Sequence, residues 1–285
     1  MKVVILGGTS YLGSKLGQYL VQQSVEVYSV VRREVQQSWA KEIWRFDELE
    51  EKFQVEDIDW VINCITCYER GAHTSEDVLN ANYVKPFHYF SMAAENGIHR
   101  FMTMDTGLSA ECNLYSRSKK QFADSIEWKL NEIFGENKYT FWNIELENFY
   151  GEDEKKERFI PGTIDKLYRN EQILLTKGTQ IRDFIYIGDV VKNLTKLLHT
   201  YEKGRINLPL GTGTGVSVRD AIVYLKEITV SKSELCFGAV PMRRIEPDCI
   251  ADVEKMKQYD LKVEYDWKKG FEYIAYKRGA MEGKR

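Results

Sequence analysis

Lys2-Val3-Val4-Ile5-Leu6-Gly7-Gly8-Thr9-Ser10-Tyr11-Leu12-Gly13 is an apolar run that breaks on a pair of glycines and then takes up helical spacing. It reads as a strand, a tight turn and the start of an amphipathic helix over residues 11–23. Glycines in such a turn let the backbone approach a pyrophosphate, and the helix start supplies free N–H groups and the positive end of a dipole. The reading assigns Gly7, Thr9, Ser10, Tyr11, Leu12 and Gly13 to dinucleotide binding; the bland alternative is a plain turn. A GxxGxxG spacing would put glycine at position 10, where Ser10 stands. Its side chain narrows the approach, although its hydroxyl could itself bond a phosphate oxygen.

Outward from this turn, β-branched runs alternate with helical patterns. Strands are expected at 2–6, 25–31, 43–45, 60–63, 101–104 and 139–144, and helices at 11–23, 76–95 and 115–134. That alternation predicts an α/β fold, a Rossmann-type doubly wound parallel sheet covered on both faces. The expected organisation is a dinucleotide-binding domain over 1–150, with 180–205 returning to it. The remainder, 151–285, is mainly a smaller substrate-binding region. Residues 151–158 (GEDEKKER) read as a solvated connection. Strand character resumes at 180–187, glycines cluster at 211, 213 and 215, and 278–285 look like a frayed basic tail.

The end of the second strand bears on cofactor choice. An acidic residue there would bond the ribose hydroxyls of NAD, whereas Arg32 and Arg33 could pair with the extra phosphate of NADP. NADP(H) is therefore the preferred cofactor and NAD(H) the other possibility; two solvated arginines are the plain reading. Asp47, after the third strand, joins the cofactor candidates.

Tyr115 and Lys119 stand four apart on an expected helix, and Phe122, Ile126 and Ile133 continue the same inward stripe. A lysine among core residues is costly without partners. A lysine cation beside a phenol stabilises the phenolate, so the tyrosine can exchange a proton with a carbonyl or alcohol near neutral pH. Thr106, ending the strand 101–104, should stand near Tyr115 and orient a substrate oxygen, or else be a turn residue. Pro86 cannot donate to the carbonyl of Asn82. If the helix runs through, that carbonyl could hold a water linking Lys119 to solvent; a packing kink is the alternative.

Composition narrows the classes. A formal charge of −3 and pI near 6.0 offer no general attraction to nucleic acid or to an anionic membrane. No apolar run approaches the roughly 20 residues that span a bilayer, and the strand at residue 3 leaves no room for a signal peptide. A soluble, cytoplasmic protein is expected. Five scattered cysteines do not form a disulfide framework. Cys64 and Cys67 make one CxxC, and without a second pair or clustered histidines no metal is expected.

The glycine turn, Asn82, Thr106 and Tyr115-Ser116-Arg117-Ser118-Lys119 together resemble the extended short-chain dehydrogenase and nucleotide-sugar epimerase family. Glu147-Asn148-Phe149-Tyr150-Gly151 resembles its substrate-binding asparagine motif, and Gln180-Ile181-Arg182-Asp183-Phe184-Ile185-Tyr186-Ile187-Gly188-Asp189-Val190 its RDF strand. The text DTGLSAECNLYSRSKKQF, residues 105–122, is most similar to the CDP-abequose synthase branch. The resemblance implies NADPH-dependent reduction of a 4-keto-deoxyhexose carried on a nucleotide diphosphate, as in O-antigen and other deoxysugar biosynthesis. It also implies that Asn148 and Arg182 contact the substrate, with Arg243 and Arg244 weaker diphosphate candidates. Arg182 could instead be a structural ion-pair partner of Asp183 or Asp189. A homodimer is expected, since the helix 115–134 carries enough apolar residues to join a dimer bundle. The rivals are an NAD-dependent nucleotide-sugar 4-epimerase and a non-catalytic dinucleotide sensor.

Overall fold

The computed structural model describes residues 1–33, 35–68 and 71–281. Along the chain run β1 (Lys2–Leu6), α1 (Tyr11–Gln22), β2 (Glu26–Val31), β3 (Glu42–Arg45), α2 (Leu49–Val55), β4 (Trp60–Asn63), α3 (Ser75–Leu79), α4 (Lys85–Glu95), β5 (Arg100–Thr106), α5 (Leu114–Phe134) and β6 (Thr140–Leu146). There follow β7 (Asn148–Tyr150), α6 (Phe159–Tyr168), β8 (Ile173–Leu175), β9 (Ile181–Tyr186), α7 (Ile187–Leu197), β10 (Gly204–Leu210), β11 (Gly215–Ser217), α8 (Val218–Ile228), β12 (Leu235–Phe237), α9 (Val253–Gln258) and α10 (Trp267–Met281). They form two compact units, 1–145 with 191–208, and 146–190 with 209–285.

The sheet of the first unit has seven strands in the order β10-β6-β5-β4-β1-β2-β3. Pairing is parallel from β3 through β2, β1 and β4 to β5. Residues 3–6 of β1 and all of β4 are buried without alternation, the pattern of strands covered on both faces. The chain winds outward from β1 to β3, then returns to lay β4 against the other side of β1. That reversal is the switch point at which doubly wound sheets bind ligands, and the loops leaving β1 and β4 flank it. Phe90 of α4 meets Phe101 of β5 at 5.0 Å and Phe122 of α5 at 5.5 Å, so aromatic packing sets these helices against the sheet.

The expected helix over 76–95 is interrupted. Residues 80–84 form a π turn in which the Lys85 N–H reaches the carbonyl of Asn80. Pro86 cannot donate and would crowd the carbonyl four residues back; a wider turn accommodates it at the start of α4.

In the second unit β9 pairs with β7 in parallel and with β11 in antiparallel. The stretch 180–205 is therefore divided: β9 lies in the second unit, and only residues from 191 rejoin the first. The glycine cluster has a physical cause in the buried carboxylate of Asp183. It accepts from the N–H groups of Thr212 and Gly213 and from the Thr212 hydroxyl, and a Cβ on Gly211 would lie 2.5 Å from its Oδ2. Two expectations are corrected here. Within 151–158, Glu154 is buried and paired with Arg158 at 2.9 Å, because Arg158 at the N-cap of α6 and Arg278 of α10 give it cationic partners. The basic tail is helical to Met281: Arg278 grips Asp165 through two bonds of 2.7 and 2.6 Å and donates to the carbonyls of Glu152 and Glu154. Residues 282–285 of that expected tail lie outside the described residues.

Candidate active site

The turn after β1 is built for close approach. Gly7 adopts φ +82°, and Gly7 and Gly8 both donate to the carbonyl of Val30. Ser10 caps α1, its Oγ accepting the Gly13 N–H at 3.0 Å. A Cβ on Gly13 would lie 2.6 Å from the Gly7 carbonyl, and one on Gly8 would strike the buried hydroxyl of Ser29. These residues leave a helix N-terminus bare of side-chain bulk, the cradle that a dinucleotide pyrophosphate fits. Thr9 lies on a cavity of about 380 Å³ that it shares with Ser14, Gln18 and residues 35–39. Gln37 holds this cover down, donating to the Gly8 carbonyl at 2.9 Å.

Arg32 and Arg33 are exposed at the end of β2, whereas Asp47 is held by Arg45 through two bonds of 3.0 Å. Cys64 packs under the glycine turn, and burial pushes its thiol up to about 12. Among the described residues no group of three or more Cys, His, Asp or Glu is arranged to hold a metal ion.

Helix α5 starts at Leu114, capped by Asn113 accepting the Ser116 N–H, so Tyr115 lies in its first turn. One turn on, the buried Lys119 ammonium is 5.7 Å from the Tyr115 ring centre and donates to the carbonyl of Met104 at 2.7 Å and to that of Ile65 at 3.5 Å. Burial pulls Lys119 down to about 8. The Tyr115 phenol is pushed well above its ordinary value, first by burial and then by Tyr68 beside it. In this state the phenol is thus held protonated, where the sequence suggested a phenolate favoured by the lysine. Thr106 closes β5, buried, its hydroxyl accepting the Leu108 N–H at 3.3 Å.

The expectation for Asn82 concerned its backbone carbonyl; what the structure shows is a role for its side chain. Its side-chain amide brackets one peptide, Oδ1 accepting from the Cys67 N–H and Nδ2 donating to the Cys67 carbonyl, both at 2.8 Å. The π turn aims that side chain at the loop after β4.

Sequence reasoning missed the layer beneath. Lys120 donates to the Thr106 carbonyl at 2.9 Å and pairs with Asp105 at 3.0 Å and Glu145 at 2.9 Å. Asp105, almost wholly buried, also accepts from Asn143 at 3.1 Å. Lys119 and Lys120 thus lace α5 to the end of β5. Tyr68 was missed as well; its place after β4, at the switch point, is the signal that marks such a residue.

In the second unit, Asn148 is exposed at the start of β7. Arg182 is committed: its guanidinium donates to Glu246 at 2.6 Å and to the carbonyls of Ile181 and Pro247. The partner is neither Asp183 nor Asp189, since the side chain turns toward the strand's neighbour at 246–249. Arg243 stays more exposed, 3.7 Å from the same Glu246.

A doubly wound sheet with a bare glycine turn at its switch point and a Tyr–Lys pair one helical turn apart defines a dinucleotide-dependent enzyme fold. The chain belongs to the NAD dependent epimerase/dehydratase family, whose model matches residues 3–209. It is similar to the CDP-abequose synthase of Salmonella typhimurium, 26% identical over 95% of this chain and 96% of that protein. Its fold is that of the Thermotoga maritima UDP-glucose 4-epimerase solved with UDP-glucose, with a TM-score of 0.85 at 16% identity over 99% of this chain and 100% of that one. The Thermus thermophilus UDP-glucose 4-epimerase, solved with NAD, superposes with a TM-score of 0.83 at 16% identity over 98% and 100%.

Proposed function

We propose that this chain is an NADPH-dependent reductase of the 4-keto group of a deoxyhexose carried on a nucleotide diphosphate, a reaction of the CDP-abequose synthase kind. The observation that carries the reading is the placement of the buried Lys119 ammonium 5.7 Å from the centre of the Tyr115 ring, beside a phenol whose pKa burial raises. A neutral phenol is the form that gives a proton to a carbonyl oxygen.

With the glycine turn holding the pyrophosphate of a reduced dinucleotide, the cofactor would supply the hydride. Tyr115 donates the proton to the carbonyl oxygen, and Lys119 stabilises the phenolate left behind. Thr106 orients the reacting oxygen, its backbone fixed by Lys120. Exposed Arg32 and Arg33 favour the phosphorylated dinucleotide. The second unit is the substrate-binding region in this reading. Asn148 and Arg243 are its diphosphate contacts; Arg182, already spent on Glu246, drops to a supporting role. The cytoplasm is the expected compartment, and among the described residues no helix is long and apolar enough to cross a membrane.

The test follows NADPH oxidation over CDP-linked and dTDP-linked 4-keto-6-deoxyhexoses. One of them should be reduced stoichiometrically. Interconversion of sugar epimers with no net NADPH consumption would establish the epimerase instead. Tyr115→Phe should lower turnover at least ~100-fold while leaving NADPH affinity within about twofold; unimpaired turnover would overturn the reading.

A further inference from the structure

β4 ends at Asn63, opposite Thr103, and β5 runs past it to Thr106. Side chains from α5 take hold of this overhang. Lys119 and Lys120, consecutive on the helix, donate to the alternate carbonyls of Met104 and Thr106 at 2.7 and 2.9 Å. The carboxylate of Asp105 turns back on its own neighbour, Oδ1 accepting the Thr106 N–H at 2.7 Å. Its Oδ2 accepts from the Lys120 ammonium at 3.0 Å and from Asn143 of β6 at 3.1 Å. One ion pair therefore grips both backbone polar groups of a single residue: Asp105 takes the Thr106 N–H and Lys120 the Thr106 carbonyl. Glu145 of β6, 2.9 Å from the same ammonium, anchors Lys120 in turn.

The grip leaves the Thr106 side chain with a defined polarity. Its Oγ accepts the Leu108 N–H at 3.3 Å, and a hydroxyl that accepts through a lone pair keeps its hydrogen to donate elsewhere. Tying a helix to a sheet would not require so specific a ring. A buried ion pair contributes little net stability, because desolvation offsets most of the attraction, and the Asp105 side chain is only 1% exposed. What the ring does fix is position. Lys120 lies on the helix that carries Tyr115, so the proton donor and the Thr106 hydroxyl are referred to one element.

We propose that Asp105 and Lys120 are positioning residues for the reduction, acting as a pair through Thr106: they fix its backbone so that its hydroxyl hydrogen is aimed at the oxygen to which Tyr115 gives a proton. The inference rests on the reductase reading and on the role that reading gives Thr106. Neither Asp105 nor Lys120 touches substrate in this account. Their effect is confined to the placement of one hydroxyl group, so it should vanish when that hydroxyl is removed.

Lys120→Met removes the donor at the Thr106 carbonyl. Adding Asp105→Asn removes the charge left behind, so a chain destabilised by the first change is tested in the second. With NADPH and CDP-linked or dTDP-linked 4-keto-6-deoxyglucose, kcat should fall about tenfold to a hundredfold in either variant, with KM and the NADPH dissociation constant within about twofold. Thr106→Val removes the hydroxyl on which the pair acts. In that background Lys120→Met should lower kcat by less than about twofold further, because both changes act on one interaction. A pair that only ties α5 to the sheet would lower kcat by the same factor with or without the hydroxyl, and that result would overturn the inference. An unchanged kcat in Lys120→Met would overturn it too, while leaving the reductase reading intact. A Thr106→Val chain as active as the parent removes the role of Thr106, and a parent that oxidises NADPH with neither sugar removes the reductase reading; in both cases the positioning role falls with it.

Discussion

Lys119 is a charge taken out of water, and burial lowers its pKa to about 8. The fall from the ordinary 10.5 is worth on the order of 3 kcal/mol. The folded value lies below the unfolded one, so between about pH 8 and 10.5 the unfolded chain binds the extra proton and stability rises with pH. Below pH 8 the burial penalty is felt in full. Lys119→Met should therefore be more stable than the parent at pH 7 in urea unfolding, with the advantage shrinking toward pH 10; a gap independent of pH would contradict it. Gly13→Ala is a sharper local test, because its Cβ would lie 2.6 Å from the Gly7 carbonyl. Dinucleotide affinity, read by calorimetry, should fall at least ~10-fold, since the turn must open to admit a methyl group. At this scale the Tyr115 and Lys119 pair was legible because both lie on one helical stripe. Asn82 was legible only as a position: its peptide clamp on Cys67 joins residues 15 apart, and periodicity cannot register such a contact.

At the scale of elements, period and punctuation located β1 to β6, α1 and α5, since a sheet buried on both faces writes long apolar runs, but not α2 or β10. Pro86 announced a disturbance in the helix over 76–95, but whether the backbone kinks, breaks or widens depends on what packs around it. Charge misled the reading of the last helix. Arg278 looked solvated, yet its guanidinium and Asp165 are mostly buried as a two-bond pair joining α10 to α6. Burial of the Asp165 carboxylate is compensated by this guanidinium, which also donates to the 152 and 154 carbonyls. Arg278→Met should destabilise the chain by about 3–5 kcal/mol in urea unfolding, by stranding the carboxylate. Adding Asp165→Leu should recover much of that loss; no recovery would mean that the bonds from Arg278 to the 152 and 154 carbonyls dominate.

For the whole molecule, a net charge of −3 means that an anionic cofactor is drawn in by local cations. Replacing Arg32 and Arg33 together by alanine should raise the NADPH dissociation constant at least ~10-fold and leave that of NADH nearly unchanged. Equal losses for both would refute a role at the extra phosphate. Trp128, 65% exposed on α5, is the residue we would put at a homodimer contact. Light scattering should find a dimer that Trp128→Glu dissociates. Alternation revealed the layered sheet and suggested that 180–205 returns to the first unit; the crossings themselves, at 145/146, 190/191 and 208/209, leave no periodic signal. Those crossings make the protein a poor candidate for cut-and-paste recombination, since neither unit can be excised as a single span. A protease nick within 151–158 would leave β1 to β6 on one fragment and β10 on the other, both woven into the same sheet. The cleaved chain should travel as one particle until a denaturant unpicks it.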